Sequence, residues 1–509
     1  MRKIIRKEFF KTEDWLAVWF GFLFIGLVLV GVKPQLPTFK WTTSGEFSSM
    51  VAESKYVVEK FIKEAEAKGE SNLLPAASAL KAALDAGDRL AIESTAKKFG
   101  EAMKKVEEPG LKKKGGDLGK KLSGGAGALA SRVFSGENIL KSIYIGIAFL
   151  ILTGVGIVLM GGRVGRFVVG FPIIYALAWV SQFIAGNTTV NYLGLEYVIF
   201  ALLIGLFISN VIGVPQWLKE AVRTEYYIKT GLVILGAGIL FFEILQAGAI
   251  GIVQALLVVF IVWYACFWLG RKLKVDDELS AMLATGVSIC GVSAAIAACG
   301  AIQGDKKKLS YVISLILIVA IPMMVLEPWI ARALGISDIV TGAWLGGTLD
   351  TTASVIAAGA LVGEVAMKVG TIVKFSQNVL IGVAAFLLSV WWTLKEKTPT
   401  KEKPTVKVIW ERFPKFVLGF LFASFLFSFF LDPSLVKETK ALLGGLRTVW
   451  FALAFVSIGL ETRFTELFGM GKGRPAVTFV GAQVFNILWT LVLAYLLFGG
   501  FIFPLPAIQ

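Results

Sequence analysis

Apolar residues fall in long blocks separated by short polar breaks. After an uncharged run from Trp15 to Val32, such blocks cover 139–161, 167–185, 195–214, 229–245, 248–270, 281–302, 309–334, 340–361, 369–394, 413–431, 443–461 and 475–500. A helix needs about 20 apolar residues to cross a bilayer, so the pattern reads as about 13 hydrophobic segments. It predicts an all-α polytopic membrane protein, with about 11–13 segments depending on how many cross completely. Residues 33–138 differ: they are polar, rich in Lys, Glu, Ala and Ser, with Val57 and Phe61, Val58 and Ile62, and Leu80 and Leu84 at helical spacing. Two or three amphipathic helices are expected there, with Lys112 to Gly127 as a flexible Gly/Lys linker.

The organisation that follows is a cytoplasmic tail and first transmembrane helix over 1–32, a helical soluble insert over 33–138, a second transmembrane helix over 139–166, and a transporter-like core over 167–509. Arg2, Lys3, Arg6, Lys7 and Lys11 precede the first span, which would then enter from the cytoplasm and leave the insert extracytoplasmic. If every segment crosses, one face receives Arg163 and Arg166, Lys219 and Arg223, Arg271, Lys272 and Lys274, the basic stretch Lys395 to Lys415, and Lys472 with Arg474. Only Lys306, Lys307 and Lys308 break the rule that cytoplasmic loops carry the positive charge. Making 281–302 and 340–361 re-entrant from opposite faces removes the exception. Charge alone leaves both topologies open.

Composition narrows the chemistry. With 56% hydrophobic and 17% charged residues, a water-soluble globule is excluded and a multi-pass membrane protein is expected. The net charge of +15 suits loops facing anionic lipid and calls for no nucleic acid. The absence of histidine excludes histidine zinc sites, Ser/His/Asp triads and histidine pH switches. Cys266, Cys290 and Cys299 sit inside apolar runs and read as small core residues. With no P-loop, nucleophile elbow or zinc motif either, no enzyme and no cofactor is expected.

Two segments stand apart. Gly286 to Gly300 (GVSICGVSAAIAACG) and Gly346 to Gly359 (GGTLDTTASVIAAG) are built of small and hydroxyl side chains. Such runs let a membrane backbone open and approach a ligand, or let helices pack closely. An internal echo relates Phe200 to Ser209, followed by Leu235 to Glu243, with Val417 to Ser424, followed by Val456 to Glu461. An odd number of crossings separates the copies, so they would be inverted repeats of the kind found in secondary transporters. Asp350 lies in the middle of an apolar segment, where a carboxylate costs several kcal/mol unless neutralised, paired or hydrated. With Thr348, Thr351, Thr352 and Ser354 it forms an oxygen cluster suited to Na+ or a shared proton, and a lysine from another helix is the structural alternative. Lys374 either snorkels to an interface or faces inward beside Gln377 and Asn378 to bind an anion or pair with Asp350. Arg447 and Lys229 read as headgroup anchors, and Glu243 and Glu461 as interfacial carboxylates.

The run from about Phe167 to Leu497 resembles the YeiH-like sulfate exporter family of bacterial membrane proteins. The matching pieces are Gly231 to Ala237, Ser288 to Ala297 with its Cys-Gly-x-Ser-Ala block, Trp344-Leu-Gly, Val355 to Gly359, Lys374-Phe and Phe416 to Phe420. The resemblance implies a fold related to the sodium/proton antiporter and bile-acid symporter group, and an inorganic oxyanion as substrate. The sequence departs from the family where Asp350-Thr351 replace a His and an acidic residue and where Gln377 replaces an Arg, which removes a bidentate anion fork.

The expected function is secondary transport by alternating access of a small anion (sulfate, sulfite or a related oxyanion) coupled to Na+ or H+. Ser288, Cys290, Gly291, Ser293, Lys374, Gln377 and Asn378 would bind substrate; Asp350, Thr351, Thr352 and Ser354 would hold the coupling ion, with Na+ at Asp350. The expected partners are the lipid bilayer, the anionic solute and the coupling ion, with the chain as a homodimer. An ion channel or membrane sensor gated through the polar insert is the alternative, and a receptor or scaffold that captures a partner through the insert is a third.

Overall fold

The computed structural model describes residues 11–68, 70–104, 106, 108–192, 197–395, 413–462, 473–506 and 508. Of the basic residues read as cytoplasmic, Arg2, Lys3, Arg6, Lys7, Lys472 and those within 396–412 lie outside these. The chain separates into two compact units, one of 1–34, 148–179 and 198–509, the other of 35–147 and 180–197.

The smaller unit is helical. Thr43 starts Ser44–Ala67 with a capping box, its side chain accepting from the Glu46 N–H while Glu46 accepts from the Thr43 N–H at 2.6 Å. Leu74–Ala86 ends on Gly87 at φ +67°, and Arg89–Met103 begins on an Asp88 cap. The sequence pairing is half right: Val58, Phe61, Leu80 and Leu84 are buried, whereas Val57 faces outward. The expected linker is a helix, Pro109–Gly127. Its Leu111, Leu118, Leu122 and Ala126 form a buried stripe. Gly119 serves close packing: a Cβ on it would lie 3.2 Å from the Gly100 Cα and from the Ala96 carbonyl oxygen. Arg89 gathers the carbonyls at the end of this helix, reaching the Ala126 oxygen at 2.9 Å and the Ala128 oxygen at 2.6 Å. Arg132 and Lys97 hydrogen-bond Glu93 and hold its carboxyl down at about 2. Gly119→Val should therefore destabilise this packing by about 1–3 kcal/mol. Hydrogen exchange should show faster exchange confined to 89–127, and unchanged protection would refute the close crossing.

The larger unit is a helical membrane bundle. Among the described residues, seven helices, including Phe241–Lys272, Glu364–Trp392 and Arg474–Phe498, are long and apolar enough to cross a bilayer, and shorter apolar helices such as Tyr197–Ile212 and Lys415–Phe429 accompany them.

Both small-residue segments are helical hairpins. The first runs Asp277–Thr285, a π-helical turn Gly286–Cys290, a break at Gly291 (φ +63°), then Val292–Ala301. Its two ends meet, since Lys308 Nζ lies 2.7 Å from both Asp276 Oδ1 and Glu278 Oε2. A continuous helix would hold residues 278 and 308 about 45 Å apart. The segment therefore enters the bundle and returns. The second hairpin pairs Asp338–Thr348 with Thr352–Val362 across extended Leu349 and Thr351. Its ends meet as well, since a Cβ on Gly363 would lie 3.2 Å from Asp338 Oδ2.

Helix Lys306–Ala333 joins the two mouths, and its 28 residues, about 42 Å of helix, carry the chain across the bundle. The hairpins consequently open on opposite faces, and their tips touch: a Cβ on Gly291 would lie 2.9 Å from the Asp350 carbonyl oxygen. This topology places Lys306, Lys307 and Lys308 on the same face as Arg271, Lys272 and Lys274 and removes the charge exception.

The echoed segments embrace each other reciprocally. Ser209 Oγ donates to the Gly459 carbonyl at 2.8 Å, and Ser424 Oγ donates to the Ile239 carbonyl at 2.6 Å, each serine bonding the end of the other copy's second helix. Gly205 and Gly459 make the crossing possible, because a Cβ on either would lie 2.8 Å from the other's Cα.

Candidate functional site at the meeting of the hairpin tips

Unwinding a helix frees carbonyls that nothing in a lipid-depth core will satisfy unless side chains do. Two flanking helices supply the donors. From Glu364–Lys395, Lys374 Nζ donates to the Ile289 carbonyl at 2.6 Å and to Gln377 Oε1 at 2.9 Å, and Gln377 Nε2 donates to the Gly347 carbonyl at 3.1 Å. From Arg474–Phe498, Gln483 Nε2 donates to the Thr348 carbonyl and to Asp350 Oδ1, both at 3.2 Å, while Asn486 Nδ2 reaches the Val287 carbonyl at 3.3 Å. Thr490 orients Asn486 through a 2.8 Å bond. Lys374 thus faces inward, and its ammonium binds a tip carbonyl rather than Asp350.

The hydroxyls around Asp350 are arranged in local pairs. Thr351 Oγ1 caps helix Thr352–Val362 by accepting the Ser354 N–H at 3.0 Å and lies 2.7 Å from Ser354 Oγ. Thr352 Oγ1 accepts from Asn378 Nδ2 at 3.1 Å. The Asp350 carboxylate belongs instead with Gln483, and its Oδ2 has no protein partner.

A cavity of about 280 Å³ reaches the tips. Cys290, Ser293, Thr351, Thr352 and Asn378 are among its lining residues, whereas Ser288, Gly291, Lys374, Gln377, Asp350 and Ser354 are outside its lining. Both returning helices, Val292–Ala301 and Thr352–Val362, start at this cavity, so their first-turn N–H groups and positive dipole ends face it. Asp14, Glu225 and Lys229 line it as well. Lys229 is no lipid anchor: its Nζ lies 2.9 Å from Asp14, 3.3 Å from Glu13 and 3.3 Å from Glu225. Glu243 is buried and accepts from the Leu240 N–H at the start of Phe241–Lys272.

Sequence reasoning missed Glu327, which accepts from Thr348 Oγ1 at 2.6 Å, and the polar stripe Gln483, Asn486 and Thr490. Both left a signal: a lone acid inside an apolar run, and polar residues at i, i+3 and i+7 of the last span.

Opposed re-entrant hairpins, reciprocal repeats and apolar spans define the class as an all-α multi-pass membrane protein. Within that class, the family model described as "Conserved hypothetical protein 698" matches residues 169–478, and the chain belongs to that family. It is 43% identical over 351 residues to a UPF0324 membrane protein of Rhodopirellula baltica, covering 66% of this chain and 64% of that protein. It is 40% identical over 356 residues to a UPF0324 membrane protein of Nitratidesulfovibrio vulgaris, covering 68% of this chain and 62% of that one. The chain thus spans less than two thirds of the length of these relatives. A UPF0324 membrane protein of Clostridium tetani is 25% identical over 326 residues, covering 61% of this chain and 92% of the relative. No solved structure matches the chain.

Proposed function

We propose that the protein is a secondary active transporter working by alternating access, with a small anion such as sulfate, sulfite or a related oxyanion as its solute and Na+ or H+ as its coupling ion. The observation that carries this reading is the junction itself: two hairpins opening on opposite faces touch at Gly291 and Asp350, beside a cavity into which two helix N-termini open. Broken helices meeting in the middle of a bundle are how carriers place a binding site equally far from both sides. Ser293, Cys290, Thr351, Thr352 and Asn378 contact the solute, and the helix N-termini offset its charge. Lys374, Gln377, Gln483 and Asn486 position the unwound tips. Gln377 takes no part in an anion fork, because its amide is committed to the Gly347 carbonyl. The cavity-lining Asp14, Glu225 and Lys229, with Glu13 also against that lysine, favour entry of an anion together with a cation over entry of a bare anion. The chemistry assigned is movement, with no catalytic step.

Counterflow in proteoliposomes tests the reading. Sulfate, sulfite and small carboxylates are offered in turn, and at least one should show saturable uptake accelerated by unlabelled solute inside. Flux of an anion that neither saturates nor responds to solute on the far side would replace the carrier with a channel.

A further inference from the structure

Around the two hairpin tips six side chains carry an oxygen with no protein hydrogen-bond partner: Gln254 Oε1 and Asn378 Oδ1, and a group of four made of Asp350 Oδ2, Glu327 Oε1, Gln483 Oε1 and Ser288 Oγ. The four residues are 1%, 1%, 2% and 1% exposed, so water does not satisfy these oxygens from bulk. They are joined by short links. Glu327 Oε2 accepts from Thr348 Oγ1 at 2.6 Å, Gln483 Nε2 bridges the Thr348 carbonyl and Asp350 Oδ1, and Asn486 reaches the carbonyl of Val287, the neighbour of Ser288. Two carboxylates at this depth would be strongly disfavoured as bare anions. Yet no ion pair among the described residues involves either one, and the Lys374 ammonium binds Ile289 and Gln377.

We infer that these four oxygens form a sodium site, with Asp350 and Glu327 as the charged ligands and the Gln483 carbonyl and Ser288 hydroxyl as the neutral ones. An all-oxygen donor set suits a hard cation. Each carboxylate already gives one oxygen to a hydrogen bond, so bidentate coordination and the 6–8 oxygens that calcium takes are not on offer. The hydroxyls of Thr351, Thr352 and Ser354 are engaged elsewhere, which moves the ion from the cavity side of the tip to the side facing helices Lys306–Ala333 and Arg474–Phe498. Glu327 becomes a ligand that the original oxygen cluster lacked. The site rests on the transporter reading only for its role in coupling.

Binding is tested on the purified full chain without any flux. Radioactive sodium binding and thermal melting are measured in NaCl, KCl, choline chloride and CaCl2 at matched ionic strength. Sodium should bind saturably and raise the melting midpoint, as a ligand specific to the folded state must. Glu327→Gln and Asp350→Asn should lose that response, and Ser288→Ala should weaken sodium binding about tenfold. Melting in KCl reports whether each variant is folded, and Ser288→Ala is mild enough to answer if the acid variants do not fold. Equal stabilisation by potassium or choline, a preference for calcium, or a folded Glu327→Gln that binds sodium like the parent would overturn the assignment. Sodium binding without solute flux would leave the site standing and remove the transporter reading, whereas flux without sodium binding would do the reverse.

Discussion

Asp350→Asn is expected to reduce ion-coupled flux to the level of empty liposomes while the protein stays folded. Asparagine keeps the oxygen that accepts from Gln483 and keeps the side-chain volume, so the tip contact survives. What disappears is the charge, and with it the group that answers to the coupling ion. Removing a buried carboxylate also removes its desolvation cost, so the melting midpoint without coupling ion should equal or exceed that of the parent. Paired measurement of flux and melting separates the outcomes. Unchanged flux would remove Asp350 from coupling, and lost flux with lost folding would make it a structural group.

Gly291→Ala should be strongly destabilising, because the methyl meets both a strained backbone and the second hairpin tip. Gly291 has φ +63° and ψ −113°, a conformation that L side chains rarely adopt and that costs about 1–3 kcal/mol. The added Cβ would also lie 2.9 Å from the Asp350 carbonyl oxygen and from Ile316 Cγ2, and 3.0 Å from the Asp350 Cβ. Overpacking of that kind adds about 1–3 kcal/mol. A loss of several kcal/mol in unfolding free energy is expected, together with loss of transport. Gly26→Ala is the comparison, because a Cβ there meets nothing within 4 Å and the exchange inside a helix is neutral or stabilising by about 0.5–1 kcal/mol. Equal melting of the two variants would mean that the tips do not touch at Gly291.

Much of this arrangement was legible in the sequence because membrane burial writes in large letters. Spans announced themselves by length, and the two small-residue runs by the scarcity of bulky side chains, which is what tips approaching each other at Gly291 and Asp350 require. Charge offered two topologies and could not choose, because the deciding contact, Lys308 with Asp276 and Glu278, joins residues 30 or more apart in the chain. Glycine misled at Gly115 and Gly119. Glycine and lysine side by side resemble a linker, yet a helix that crosses another at Gly100 needs the same residues, and only the Leu111, Leu118 and Leu122 stripe tells them apart. The candidate site was read one-sidedly. Hydroxyls next to Asp350 in sequence looked like its partners, but the helix cap at Thr351 turns them away; the carboxylate's partner is Gln483 on a distant helix, while Glu327 takes the hydroxyl of Thr348.

The account stands on the two hairpins entering from opposite faces, and sided labelling tests that directly. With Cys266, Cys290 and Cys299 replaced, single cysteines at Lys274, Lys307, Gly335 and Glu364 are treated with a membrane-impermeant thiol reagent in sealed right-side-out and inverted vesicles. Lys274→Cys and Lys307→Cys should label from one face, and Gly335→Cys and Glu364→Cys from the other. Labelling of Lys274→Cys and Lys307→Cys from opposite faces would mean that the first segment crosses the bilayer, and would contradict the fold, the junction and the transport reading together.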